Sequence, residues 1–186
     1  MVLWLVSLAF ATVAPASPGD IDVDVTTDGE AILVRVDCPV HASAAQAWEV
    51  LTDYDNMTHF LTHLEASHVE PIGPSRVRVY QKGVASSGPF RFAFENVREV
   101  EMVPLKIIRS RFVSGDLRAS EFETELRLQD GELHILNRGR YVSNLLVPPL
   151  VGPMLIAAET RRQFVELREE IERRIANPPR SVARKD

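Results

Sequence analysis

Hydrophobic positions recur along this chain in two periods. Near the C-terminus, Leu150, Met154, Ala157, Phe164, Leu167 and Ile171 are spaced by threes, fours and sevens, the spacing of one helical face. The stretch predicts a long helix over Leu150–Ile175. Pro148, Pro149 and Pro153 precede or open it, where proline is tolerated. From Met154 until Pro178 there is neither Gly nor Pro. The opposite face carries Glu159, Arg162, Glu166, Glu169, Glu170, Arg173 and Arg174. Glu169 and Arg173, like Glu170 and Arg174, stand four apart with the acid first, which supports a helix. A helix this long needs a large apolar partner, and the middle of the chain is the only candidate.

That middle has period two. In Ala31–Val40, Ile32, Val34, Val36 and Cys38 share one side, opposite Leu33, Arg35 and Asp37, the alternation of a half-buried strand. Ser43 then opens a helix, with Gln46 placed to complete a capping box. Ala44, Ala47, Trp48 and Leu51 keep helical spacing until Asp53–Asn56, and a short second helix is expected over Met57–Leu64. Strands are predicted near residues 66–72, 76–85, 90–102, 106–113, 117–128 and 132–142. Turn signals separate them at Pro71–Ser75, Ser86–Pro89, Val103–Leu105, Ser114–Asp116 and Gln129–Gly131. Consecutive strands joined by short turns form an antiparallel meander. The fold class is therefore α+β, with the long helix lying in the concavity of a curled sheet.

Alternation also sorts the candidate chemistry. Val77, Val79, Gln81 and Gly83 share one face, as do Phe122, Thr124, Leu126 and Leu128. Leu133, Ile135, Asn137, Gly139 and Tyr141 form a third row, and Phe90, Phe92 and Phe94 an aromatic one. If these rows face the helix, Gln81, Thr124, Asn137 and Tyr141 are isolated polar groups among apolar ones, the usual composition of a ligand site. Phe92, Phe94, Met154 and Ala157 would complete its wall. The same polar groups equally suit bonds to backbone or buried water. Glu121, Glu123 and Glu125 fall on the other face, where Arg109 and Arg111 can pair with them across the sheet.

Composition narrows the function classes. The chain has 186 residues, 45% hydrophobic and 25% charged, with net charge -5. One domain with a proper core fits that length, and the negative charge argues against a nucleic-acid partner. A single cysteine, Cys38, excludes an internal disulfide and a cysteine-rich zinc site. His59 and His63 stand four apart, but in His-Phe-Leu-Thr-His Phe60 and Leu61 favour packing of a partly exposed helix over a metal site. No phosphate-binding loop, dinucleotide fingerprint or serine elbow occurs, so no cofactor and no catalytic residue is assigned. Residues 1–16 carry no charged side chain, and Ala14-Pro15-Ala16 offers small residues where a signal peptidase reads. The expectation is a signal peptide (or N-terminal anchor) over residues 1–16 and a mature start near Ser17. An acidic linker over 17–30, a domain over 31–176 and a flexible tail over 177–186 follow, in an exported, periplasmic protein.

The element order resembles the helix-grip fold of the START and Bet v 1-like superfamily. More closely it resembles the polyketide cyclase/dehydrase and lipid-transport group, which includes coenzyme Q-binding START proteins. Ala44 to Tyr54 (AAQAWEVLTDY) is similar to the helix leading into that group's Asp-Tyr segment. Phe60-Leu61, Ser67-His68-Val69, Ser114-Gly115-Asp116-Leu117 and Pro148-Pro149-Leu150 are similar to segments that follow. Phe122 departs from the Trp often found in the penultimate strand. The resemblance implies a cavity that binds a lipid or quinone-like hydrophobic molecule, with transient membrane contact. It also leaves open a cyclase or aromatase, with Tyr141 or an inward Arg as acid, and a non-catalytic interaction module with a filled core. A void of several hundred Å³ separates binding from the filled core. Gly83 and Ala157 are the small inward residues whose enlargement is expected to compete with a ligand.

Overall fold

The computed structural model describes residues 19–87, 90–143 and 152–177. The signal-peptide and mature-start assignments, the turn at Gly88-Pro89, Pro148 to Leu150 and nearly all of the C-terminal tail lie outside them. Eight strands form one sheet: β1 Asp22–Asp28, β2 Ala31–Val40, β3 Leu64–Gly73, β4 Arg76–Ser87, β5 Phe90–Val103, β6 Ile107–Gly115, β7 Leu117–Gln129 and β8 Glu132–Ser143. Helix α1, Ala44–Leu51, and a 3-10 helix, Tyr54–His59, lie between β2 and β3. Helix α2, Gly152–Ala176, ends the described chain. The sheet order is β1-β2-β8-β7-β6-β5-β4-β3, and every neighbouring pair is antiparallel. The curled sheet grips α2, as an α+β helix-grip fold requires.

The expected linker over 17–30 is corrected by β1. Val23 and Val25 are half-buried between exposed aspartates and pair with Val36 and Val34 of β2. Its acidic residues are the solvent face of an edge strand. The hairpin turns at Gly29, whose φ of 59° suits glycine. The second short helix is also corrected. A 3-10 helix occupies Tyr54–His59, and Leu64, buried, already opens β3 and pairs with Gly83 of β4. Pairing and burial at Leu64 outweigh one further helical turn.

The capping box of α1 is present. Gln46 N donates to Ser43 Oγ at 3.3 Å and Ser43 N to Gln46 Oε1 at 2.9 Å. Ala47, Val50 and Leu51 face the core. On the outer face of the sheet, Glu123 takes Arg138 at 2.5 Å and Arg109 at 2.8 Å, and Glu99 takes Arg78 at 2.8 Å and Arg76 at 3.0 Å. These partners hold Glu99 and Glu123 below the ordinary carboxylate range.

Helix α2 does two jobs along its length. Its C-terminal half packs into the core, with Leu167 and Ile171 buried against β1, β2 and α1. There Glu170 is covered and bonds Arg173 Nε and Arg174 Nε, both at 2.6 Å, and Arg174 Nη2 reaches Asp53 at 2.7 Å. Those guanidinium bonds, Arg173's first, hold the Glu170 carboxyl below its usual value against the opposing effect of burial. Arg168 Nη1 donates to Gly19 O at 2.7 Å, and Arg161 Nη1 to Ile21 O. The N-terminal half is rotated from the expected stripe. Met154 is 64% exposed, and the side facing the sheet is that of Ile156, Thr160 and Phe164.

Candidate functional site

A cavity of about 520 Å³ lies between the concave face of the sheet and the N-terminal half of α2. Alternation on each strand sends every second side chain into it. β5 contributes Phe92, Phe94, Asn96 and Arg98; β6 Ile108, Ser110 and Phe112; β7 Phe122 and Thr124; β8 Asn137 and Tyr141. Tyr54, Met57, Leu61 and His63 close one side, and α2 lays Ile156, Glu159, Thr160, Gln163 and Phe164 across. The wall is mostly apolar, with polar groups at separate points.

Of the candidate residues, Gln81, Phe92, Phe94, Thr124, Asn137 and Tyr141 come together in this wall. Met154 and Ala157 do not. The periodicity followed apolar side chains, whereas the helix face toward the cavity includes Glu159, Thr160 and Gln163. Four residues back from Phe164 stands Thr160, and four further Ile156, so Met154 falls on the outer side. Gly83 is corrected as well. A Cβ there would stand 2.1 Å from the His63 backbone O, so this glycine allows strand contact and opens no volume.

The polar groups form two clusters. Asn137 Nδ2 donates to Thr124 Oγ1 at 2.8 Å across β7 and β8. Nearby, Tyr141 stacks with Phe122 at 6.3 Å between centroids. Burial pushes the Tyr141 phenol up to about 12, so it stays protonated at neutral pH. The second cluster centres on Gln81, which is 7% exposed. Its Nε2 donates to Ser67 Oγ at 3.0 Å, and its Oε1 accepts from Arg98 Nη1 at 2.7 Å. Arg98 Nη1 also reaches Asn96 Oδ1 at 3.3 Å. Burial pulls the Arg98 guanidinium below its ordinary value, with a small opposing effect from Tyr54. Burial in turn raises the Tyr54 phenol.

Sequence reasoning missed Arg98, Tyr54, His63 and Glu159. Arg98 continues the row of Phe92, Phe94 and Asn96, so its phase was visible; charge alone placed such residues outside. The sequence pattern puts His63 with His59 on a partly exposed helix. The two part: His59 is exposed, while His63 lines the cavity and its Nδ1 is buried without a hydrogen-bond partner. Glu159 accepts from Arg162 Nη2 at 2.6 and 2.7 Å and from Gln163 Nε2 at 3.0 Å, which satisfies it from its own helix. Cys38 is fully buried, and burial pushes its thiol up to about 12, so it is an unreactive core group.

The polyketide cyclase/dehydrase and lipid transport family matches residues 40–163. The chain belongs to that family. The matched span runs from the end of β2 to the middle of α2 and so contains β3 to β8 and the first half of the helical roof. Solved structures share the fold at low identity. A STAR-related lipid transfer protein fragment from Xanthomonas axonopodis superposes with a TM-score of 0.67 at 14% identity, covering 86% of this chain and 97% of that one. The Zhui aromatase/cyclase from Streptomyces sp. R1128 gives 0.64 at 15%, covering 78% and 96%. A START superfamily protein from Mycobacterium smegmatis gives 0.60 at 16%, covering 76% and 97%. No curated protein matches the chain.

Burial holds the pKa of His63 below its ordinary 6.5, more than Glu159 and Glu166 raise it. The folded state therefore favours the neutral ring. The stability this contributes is complete above the unfolded value and is lost as pH falls from about 6.5 through the lower folded value. His63→Phe is expected to flatten the fall in denaturation midpoint on that side. A wild-type fall unchanged in the variant would assign the titration elsewhere.

Proposed function

We propose that this protein binds a lipid or similar hydrophobic small molecule in the cavity without transforming it, and carries it between membranes. The observation that carries this reading is the mostly apolar 520 Å³ void with a few polar points on its wall, a size and composition typical of ligand sites. The polar points orient a ligand; Tyr141 remains protonated and Glu159 is engaged with Arg162. The family's description includes lipid transport, and a quinone is one hydrophobic ligand of suitable character. Export to the periplasm, with transient membrane contact for loading, completes the proposal. N-terminal sequencing of the periplasmic protein is expected to find Ser17 or a near neighbour. An intact Met1 in the cytoplasmic fraction would overturn export.

Binding itself is tested by native mass spectrometry and solvent extraction of the purified protein. One hydrophobic molecule per chain is expected, co-purified or readily loaded. Thr160→Phe, which projects a ring into the void, is expected to abolish loading while costing less than about 1 kcal/mol, since overpacking costs more only in a filled core. Strong destabilisation with no loading of wild type would point to a solid interior.

A second reading has one observation in its favour. Arg98, Tyr54 and His63 share one side of the cavity and provide a cation, a phenol and an imidazole, as a cyclase or aromatase would need. Turnover of a poly-β-ketone to an aromatic product, read by absorbance, would establish it.

A further inference from the structure

Arg98 differs from four arginines that point to the outer face of the sheet. Arg76, Arg78, Arg109 and Arg138 each reach a carboxylate. Among the described residues no carboxylate lies within ion-pair distance of Arg98, although it is part-buried in the cavity wall and burial lowers its pKa. Its two hydrogen bonds both leave from Nη1 and both end on neutral amide oxygens, those of Gln81 and Asn96. A guanidinium has five N–H donors and stays charged, and enclosing such a charge without a counter-charge is costly. The acid that does line this space, Glu159, is already taken by Arg162. His63 lines the same void, and its Nδ1 is buried without a hydrogen-bond partner. One side of the cavity thus holds a guanidinium with no carboxylate partner among the described residues, beside the His63 ring, while Phe94, Phe112 and Ile156 belong to its apolar wall.

We infer that the preferred ligand is an anionic amphiphile, whose carboxylate docks on Arg98 with His63 beside it and whose apolar chain lies against Phe94, Phe112 and Ile156. A carboxylate matches the planar fork of a guanidinium with two parallel hydrogen bonds. It supplies the counter-charge that the described residues do not. This inference rests on the binding reading above and goes further, because a neutral sterol or quinone would leave Arg98 unpaired.

The test compares laurate, methyl laurate and acetate by isothermal titration on the full, delipidated protein. Laurate is expected to bind about tenfold or more tighter than methyl laurate, the gain of charge-assisted hydrogen bonds. Acetate, a head without a chain, is expected to bind far more weakly than either. In Arg98→Gln the affinity ratio of laurate to methyl laurate is expected to fall to about one. Equal binding of the two esterification states by wild type would overturn the anionic head while leaving the hydrophobic cavity standing. A laurate preference that survives Arg98→Gln would also overturn it, by moving the charge recognition elsewhere. Binding of neither chain would overturn the cavity reading itself, and this inference with it. The wild-type comparison decides the matter even if the variant fails to fold.

Discussion

Gly83→Leu is expected to destabilise the protein by about 3 kcal/mol, the upper range of overpacking, and Gly83→Ala is expected to show most of that loss. The clash arises at the first side-chain atom. A Cβ on Gly83 would lie 2.1 Å from the His63 backbone O and 3.0 Å from Phe94 Cζ. That same oxygen accepts a hydrogen bond from Val84 N at 2.8 Å, so it cannot withdraw without releasing β4 from the start of β3. The register of β3 already shifts between Leu64 and Ala66, where the strand leaves the turn. Urea denaturation of Gly83→Ala beside Thr160→Phe separates the two kinds of site. The first variant adds one methyl and is expected to be costly. The second adds a ring and is expected to be tolerated, because it enters open volume. An unchanged midpoint for Gly83→Ala would mean that the strand contact is looser than the geometry shows.

The legibility of this chain depended on how far burial and hydrophobicity coincide. Where a face is packed against protein, the two agree. β2 shows it: Ile32, Val34, Val36 and Cys38 alternate in sequence and are all buried. Thr124 and Asn137 were placed on inward rows by period alone, and the register pairs them across β7 and β8. Where a face borders a cavity, the two part company, because the wall can carry polar side chains. On α2, Glu159, Thr160 and Gln163 stand on the inner side, so a stripe drawn through apolar residues rotated outward to Met154. On β5, Arg98 keeps the inward phase of Phe92 and Phe94 but carries a charge, and charge ordinarily marks an exposed position. β1 was hidden for a related reason. Ile21, Val23 and Val25 alternate with Asp20, Asp22 and Asp24, but the density of acids suggested a linker. His63 depended on the backbone: its side chain turns inward because the chain enters β3 at Leu64, a choice made by long-range pairing with β4.

The same division between packed and open faces predicts how α2 responds to truncation. Ile171→Ala is expected to cost about 3–4 kcal/mol, within the range for removing a fully enclosed aliphatic side chain. Ile171 is 0% exposed in the main core cluster, and the ion pairs around Glu170 and Arg174 fix the helix there, so the surroundings cannot collapse into the gap. Ile156→Ala removes the same atoms fifteen residues earlier on the same helix. It is expected to cost only about 1 kcal/mol, because Ile156 borders a void on one side and its loss forfeits part of a normal transfer free energy. Guanidinium denaturation of both variants in ligand-free protein checks the contrast. Equal losses would mean that the space beneath Ile156 is filled. If the contrast holds, α2 is anchored by its C-terminal half. Its N-terminal half then needs little from packing and serves as the roof over a space whose contents supply the missing contacts. Bound ligand should accordingly raise the stability of wild type and restore less of what Ile156→Ala has lost, since the truncated roof offers the ligand fewer partners.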